Sequence, residues 1–141
     1  MFIGRQICSL DNKKRVAIPS KFRDSLGKKA IVTRGFEKSL AVYSLPVWKT
    51  EMERIEKLSI YKADKRAVSR AMLTGAEEVN LDKLGRILIP DHLKNYAVLK
   101  RNVFVVGVYN RIEIWDKDRW EKYDQEAKKE FDNNAERLEE K

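Results

Sequence analysis

Two stretches of the chain set an aspartate four residues ahead of an arginine, with lysines between: DNKKR from Asp11 to Arg15 and DKLGR from Asp82 to Arg86. An aspartate so placed can accept hydrogen bonds from backbone N–H groups two residues on, and so hold a turn. The arginine carries five donors in a planar fork, suited to a carboxylate, a phosphate or a guanine edge. Two uses compete. In one, Arg15 closes its turn on Asp11 and Arg86 closes its turn on Asp82; in the other, both arginines reach a nucleic acid. Spacing leaves both open, and they are compatible, since one carboxylate does not consume every donor of a guanidinium. Lys13, Lys14 and Lys83 add weight to the second, because a turn needs no such charge and clustered like charges repel when no anion is near. Gly85 suits a position that requires φ > 0. Lys14 stands in the matching place, which implies either a different turn or a modest strain.

These turns belong to a longer repeat. LDNKKRVAIP at 10–19 returns as LDKLGRILIP at 81–90, an offset of 71. AIVT at 30–33 then lies opposite NVFV at 102–105, Gly35 opposite Gly107, LAVY at 40–43 opposite IEIW at 112–115, and Trp48 opposite Trp120. Each unit reads as strand, polar turn, short strand ending in Ile-Pro, short helix, strand, turn, strand, helix. Val16-Ala17-Ile18 and Ile87-Leu88-Ile89 are short apolar runs bounded by charged turns, as buried strands are. Pro19 and Pro90 suit the start of the helices KFRDSL and HLKNYAVL, and Gly27 suits the end of the first. Ser44 and Asp116 are candidate N-caps for the helices carrying Trp48 and Trp120. Trp48, Met52, Ile55 and Leu58 recur at helical spacing and read as core. A further helix is expected from about residue 62 to 73, with Ala63, Ala67, Ala71 and Met72 on one face, ended by Gly75. In the tail, Tyr123, Ala127, Phe131 and Leu138 fall at helical intervals that could face the body or a neighbouring subunit.

Units of about 70 residues bury too little surface to be stable alone, so the halves 1–74 and 75–141 are expected to merge into one core. Of 141 residues, 30 are Lys or Arg and 22 Asp or Glu, a net charge of +8. The balance is uneven: between Arg5 and Lys29 eight basic residues face only Asp11 and Asp24, whereas from Lys117 onward nine acidic residues outnumber seven basic ones. Such a basic region attracts polyanions and releases condensed counterions when it meets nucleic acid.

Other chemistries find little purchase. No run is apolar enough for a membrane span, and the N-terminus lacks the pattern of a secretory signal. The lone Cys8 suits a reducing cytoplasm and reads as a small buried strand residue. His92 reads as a surface residue, and no His/Cys grouping has metal spacing. Neither a phosphate-cradle nor a nucleophile-elbow motif occurs. Asp11, Asp82, Glu113 and Asp116 are better explained as turn, strand and cap residues than as catalytic carboxylates, so no enzymatic activity, cofactor or small-molecule ligand is expected.

Phe2-x-Gly4, the doubled D-x-x-x-R with its following Ile-Pro, and VGVYNRIEIWDKDRW at 106–120 resemble the MraZ family, a two-unit relative of the AbrB/SpoVT transition-state regulators. The resemblance runs from about Phe2 to Trp120. It implies an α+β fold in which two AbrB-like units, the first with a helical hairpin and the second with a C-terminal helix, form one pseudo-twofold swapped-hairpin β-barrel flanked by helices. It implies a cytoplasmic, nucleoid-associated transcriptional regulator that binds double-stranded DNA at direct repeats in its own promoter region, which heads a division and cell-wall gene cluster. Rings of about eight subunits would let many weak sites act together. By position, the DNA-facing role falls on Lys13, Lys14 and Arg15 in the first turn and on Lys83 and Arg86 in the second. Against the usual Asp-x-Lys-Gly-Arg, Lys14 replaces the glycine and Leu84 replaces the lysine, so the first turn is expected to carry more of the salt dependence.

Two alternatives belong to other classes. An RNA binder would stack bases on exposed aromatics, whereas Tyr43, Trp48, Trp115 and Trp120 read as buried. An AbrB-like antitoxin module would instead present its basic face to an acidic protein.

Overall fold

The computed structural model describes residues 1–139. Eight strands and six helices follow one another in the order β1 (Arg5–Ser9), β2 (Arg15–Ala17), α1 (Ser20–Leu26), β3 (Lys29–Arg34), β4 (Leu40–Ser44), α2 (Leu45–Glu56), α3 (Ala63–Gly75), β5 (Glu77–Asn80), β6 (Arg86–Leu88), α4 (Asp91–Tyr96), β7 (Asn102–Gly107), β8 (Ile112–Asp116), α5 (Lys117–Lys129) and α6 (Phe131–Glu139). Each strand of the first half has its counterpart in the second.

Pairing crosses between the halves. The main sheet runs β1-β7-β8-β4-β3-β5, antiparallel throughout, and a separate ribbon pairs β2 with β6. Exchanging β1 with β5, β3 with β7 and β4 with β8 reverses the order and leaves it unchanged. Strands β1 and β5 each find a partner only in the opposite half, which gives a physical reason for the doubled sequence. Val16, Ile18, Ile87 and Ile89 of the ribbon segment are fully buried in the same cluster as Val32, Val42, Val103, Val105, Ile112 and Ile114 of the sheet. Each such side chain contributes about 1.5–3 kcal/mol on burial, so the ribbon is anchored to the sheet by apolar contact.

The fold is α+β with an antiparallel sheet, but among the described residues its ladder is not closed into a barrel. Strands β1 and β5 stay open on their outer sides, because β2 and β6 spend their ladder hydrogen bonds on each other. Pro19 and Pro90, with no N–H to donate, follow each ribbon segment and prevent its extension.

The caps are where the residue types place them: Ser44 Oγ accepts from the Val47 N–H at 3.4 Å, and Asp116 Oδ2 from the Arg119 N–H at 3.4 Å. One sequence expectation needs correction. Along α2, Ile55 is buried and Trp48 and Met52 are half-buried, but Leu58 is exposed beyond the helix end. Helix α3 follows the expected span, leaves Ala63 and Ala67 exposed and Ala71 and Met72 half-buried, and docks through its C-terminal turn, where Thr33 Oγ1 donates to Met72 O at 2.6 Å and an Arg34 Nη donates to Ala71 O at 2.9 Å. The periodic tail breaks at Glu130 into α5 and α6, and Phe131 and Leu138 are exposed in the single chain. Cys8 is half-buried on β1, and that burial raises its thiol above the ordinary range. His92 lies on the first turn of α4, with Nδ1 3.3 Å from a Glu77 carboxylate oxygen.

Candidate nucleic-acid interface

The first turn closes on Asp11. Its Oδ1 accepts from the backbone N–H of Lys13 and of Arg15, both at 2.9 Å, and its Oδ2 accepts from Arg15 Nε at 2.9 Å. The Lys14 N–H donates to Asp11 O at 3.0 Å. The second turn repeats the arrangement: Asp82 Oδ1 takes the Leu84 and Arg86 N–H groups at 2.9 Å, and Oδ2 takes Arg86 Nε at 2.8 Å. Both carboxyls are held below the usual range, foremost by the N–H of the arginine that ends the turn. The fourth residue of each turn is left-handed, Lys14 at φ 62° and Gly85 at φ 74°. The turns therefore share one geometry, and Lys14 carries the strain of a side chain where glycine is at ease.

Of each guanidinium, the aspartate engages only Nε. The Nη groups of Arg15 and Arg86 have no protein partner among the described residues, and their side chains are part-exposed at 30% and 28%. Pairing with the carboxylate fixes the root of the guanidinium and leaves its outer fork to donate. The structural and recognition uses of the arginine thus coexist in one side chain.

The two turns are also tied together. The Ile18 N–H donates to Gly85 O at 2.9 Å, and the Ile89 N–H donates to Lys14 O at 2.8 Å. With the antiparallel ribbon between them, the two arginines are held on one rigid element, Arg15 opposite Leu88 and Arg86 opposite Ala17.

Two residues that the sequence did not mark complete the surroundings. Lys14 Nζ pairs with the Asp91 carboxylate at the start of α4, and this pairing holds the Asp91 carboxyl low. Arg23 of α1 lies against Gly85: a Cβ added to Gly85 would stand 2.1 Å from Arg23 Nε, which donates to Ile18 O at 2.8 Å. Lys13 and Lys83 are exposed. A glycine in one turn facing a lysine in the other was the available signal, because glycine often marks a close approach by another group.

Together these features define an α+β protein of two interlocked units, each presenting an aspartate-held basic turn on a common ribbon. A family model described as "MraZ protein, putative antitoxin-like" matches the chain twice, over residues 1–71 and 72–141. A protein of Natranaerobius thermophilus named transcriptional regulator MraZ is 45% identical over 138 residues, covering 98% of this chain and 96% of the relative. Proteins of the same name from Caldanaerobacter subterraneus subsp. tengcongensis and Alkaliphilus metalliredigens are 44% and 42% identical, over 98% and 99% of the chain and 96% and 98% of the relatives. The chain belongs to the MraZ family.

Proposed function

We propose that the chain is a transcriptional regulator that binds double-stranded DNA in a sequence-specific manner through the Asp11–Arg15 and Asp82–Arg86 turns. The observation that supports this most is the pair of part-exposed arginines, each pinned through Nε with its Nη groups unspent, on a ribbon that fixes their separation. A guanidinium so oriented can make a bidentate contact to guanine O6 and N7, while Lys13, Lys83 and the turn backbone meet phosphates. The relatives' name supports the regulatory role. Of the aromatics weighed for base stacking in an RNA-binding reading, Tyr43 and Trp115 are buried and Trp48 and Trp120 half-buried, so these four have little ring face to offer a base.

One chain offers two turns and a few charges, too little for tight binding by itself. The proposal therefore includes a homo-oligomeric ring of about eight subunits on direct repeats upstream of the division and cell-wall genes, in which linked sites raise avidity by roughly 10²–10⁴. Binding of the purified protein to its own upstream DNA tests both parts. Selective binding over scrambled DNA is expected, together with near-complete loss when a spacer between repeats is lengthened by about 5 base pairs, half a helical turn. Equal binding to scrambled DNA contradicts sequence-specific recognition, and indifference to the spacer contradicts the linked-site assembly.

A further inference from the structure

The tip of the α2–α3 hairpin keeps apolar side chains in the open: Leu58, Ile60, Tyr61 and Val68 are all exposed. Between the two helices lies a groove lined by Ile55, Leu58, Lys62, Asp64, Lys65 and Val68, among others. Helix α6 leaves a second apolar face uncovered. Phe131 and Leu138 are 69% and 86% exposed, and with the exposed Ala135 they fall at i, i+4 and i+7 on one side of the helix. We propose that α6 of one copy of this chain docks in the α2–α3 groove of a second copy. This contact deepens the homo-oligomer proposed above and rests on that reading.

Three observations carry it. The first is charge. Residues 57–70 bring Lys57, Lys62, Lys65, Arg66 and Arg70 against Asp64 alone, whereas Phe131–Glu139 brings Asp132, Glu136 and Glu139 against Arg137. Opposite fields favour α6 on the groove and disfavour two grooves or two α6 helices meeting each other. The second is Lys65, whose side chain is only 8% exposed while its ammonium reaches the exposed Glu56 carboxylate at 3.7 Å. An acidic side chain of α6 gives that ammonium a further partner beside the apolar floor. The third is that the tip is already held in shape. An Arg66 Nη donates to Ile60 O at 2.8 Å, and the Tyr61 N–H donates to Ser59 Oγ at 3.2 Å, so docking has little of the groove left to order.

Groove and α6 are different surfaces of the chain, so the contact runs head to tail. Every copy then offers one of each, and repetition closes into a ring where the rotation between copies permits. A helix of nine residues makes a small contact by itself. Closure of the ring makes the last such contact intramolecular and supports the others. The Asp11–Arg15 and Asp82–Arg86 turns contribute nothing to either surface and stay free for their own partner.

The test is sedimentation velocity over a concentration series, without DNA, for the parent, Phe131→Asp, Val68→Asp and an equimolar mixture of the two variants. Both changed side chains are exposed in the single chain, and thermal unfolding establishes that each protein is folded. The parent is expected to assemble, and each variant alone to need about 10–100-fold more protein for half-assembly. The mixture is expected to recover pairs, because Phe131→Asp keeps an intact groove and Val68→Asp an intact α6. Docking of α6 within its own chain gives no such recovery. An assembled parent whose folded variants assemble equally well overturns the contact and leaves the homo-oligomer to be held elsewhere. Variants that both dissociate without recovery on mixing also overturn it. If Val68→Asp does not fold, Lys62→Glu takes its place on the same criterion. A parent that sediments as a monomer at every concentration defeats the homo-oligomer reading itself.

Discussion

The turn at Asp11–Arg15 is written with three consecutive cations, the turn at Asp82–Arg86 with one lysine, a leucine and a glycine before its arginine. On sequence the first is the stronger anion binder. In the folded chain the difference narrows from both sides. Lys14 is drawn to Asp91, and Arg23 is brought over Gly85. Local charge in a motif is thus a poor measure of local charge in a site, because neighbours from distant segments add to it and subtract from it. What stays the same is the frame: two aspartates with matched hydrogen bonds and two arginines with matched exposure.

Altering the support beneath the turns is expected to have the largest effect and to treat both alike. Ile18 hydrogen-bonds under Gly85 and Ile89 under Lys14, and both side chains are fully buried. Ile18→Ala and Ile89→Ala are each expected to cost about 2–5 kcal/mol in denaturant unfolding. Costs that differ severalfold would break the equivalence of the halves.

The turn residues themselves should then separate the halves. Gly85→Ala places a side chain at φ 74° and pushes Arg23 off the Ile18 carbonyl, an expected loss of about 1–3 kcal/mol. Lys14→Gly removes a similar backbone strain but adds unfolded-state freedom, so stability should move by less than about 1 kcal/mol. A strongly destabilised Lys14→Gly protein would show that the Asp91 pair, not the backbone, governs the first turn.

Acid should also act unevenly. The folded-state values of Asp11, Asp82 and Asp91 are depressed, so their contribution is complete above the unfolded carboxylate range near about 4 and is lost as pH falls through the lower folded values. The first turn has two such groups and the second has one. Carboxyl titration by NMR should place all three midpoints below ordinary aspartate, with the amide of Lys14 disturbed more than that of Gly85. Ordinary midpoints for Asp11 and Asp82 would contradict the hydrogen-bonded frame.

The smallest expected effect comes from Asp91→Asn. The ion pair it removes is exposed, so stability should hardly change. The freed Lys14 should steepen the salt dependence of DNA binding by up to about 0.9 per contacting subunit. An unchanged slope would mean that Lys14 stays out of reach of phosphate even when released.

Much of this surface was legible in the sequence, because its signals are local. Asp at the start of a turn, Arg at its end, glycine or a strained residue between, and Ile-Pro beyond are each set by chemistry within five or six residues. The caps Ser44 and Asp116 were readable for the same reason. What stayed hidden depends on partners far along the chain. Periodicity marks β1 and β5 as strands but does not say that each pairs outside its own half, or that β2 and β6 pair with each other and leave the sheet open. Arg23 on a short helix carries no mark of Gly85, and Asp91 carries none of Lys14. Helix α3 was legible as a helix, but alanine at helical spacing fits an exposed face as well as a buried one, so its docking through Thr33 and Arg34 was not.

Two differently written turns are proposed to act as one balanced reading surface, and salt-series binding of Arg15→Ala and Arg86→Ala to the protein's upstream DNA tests this most directly. Removing one bidentate base interaction should weaken binding by about 10–100-fold, by similar factors in the two folded variants, and relax the preference over scrambled DNA in both. A large effect of Arg15→Ala beside near-parental binding for Arg86→Ala would contradict it, and would return the recognition role to the first turn alone.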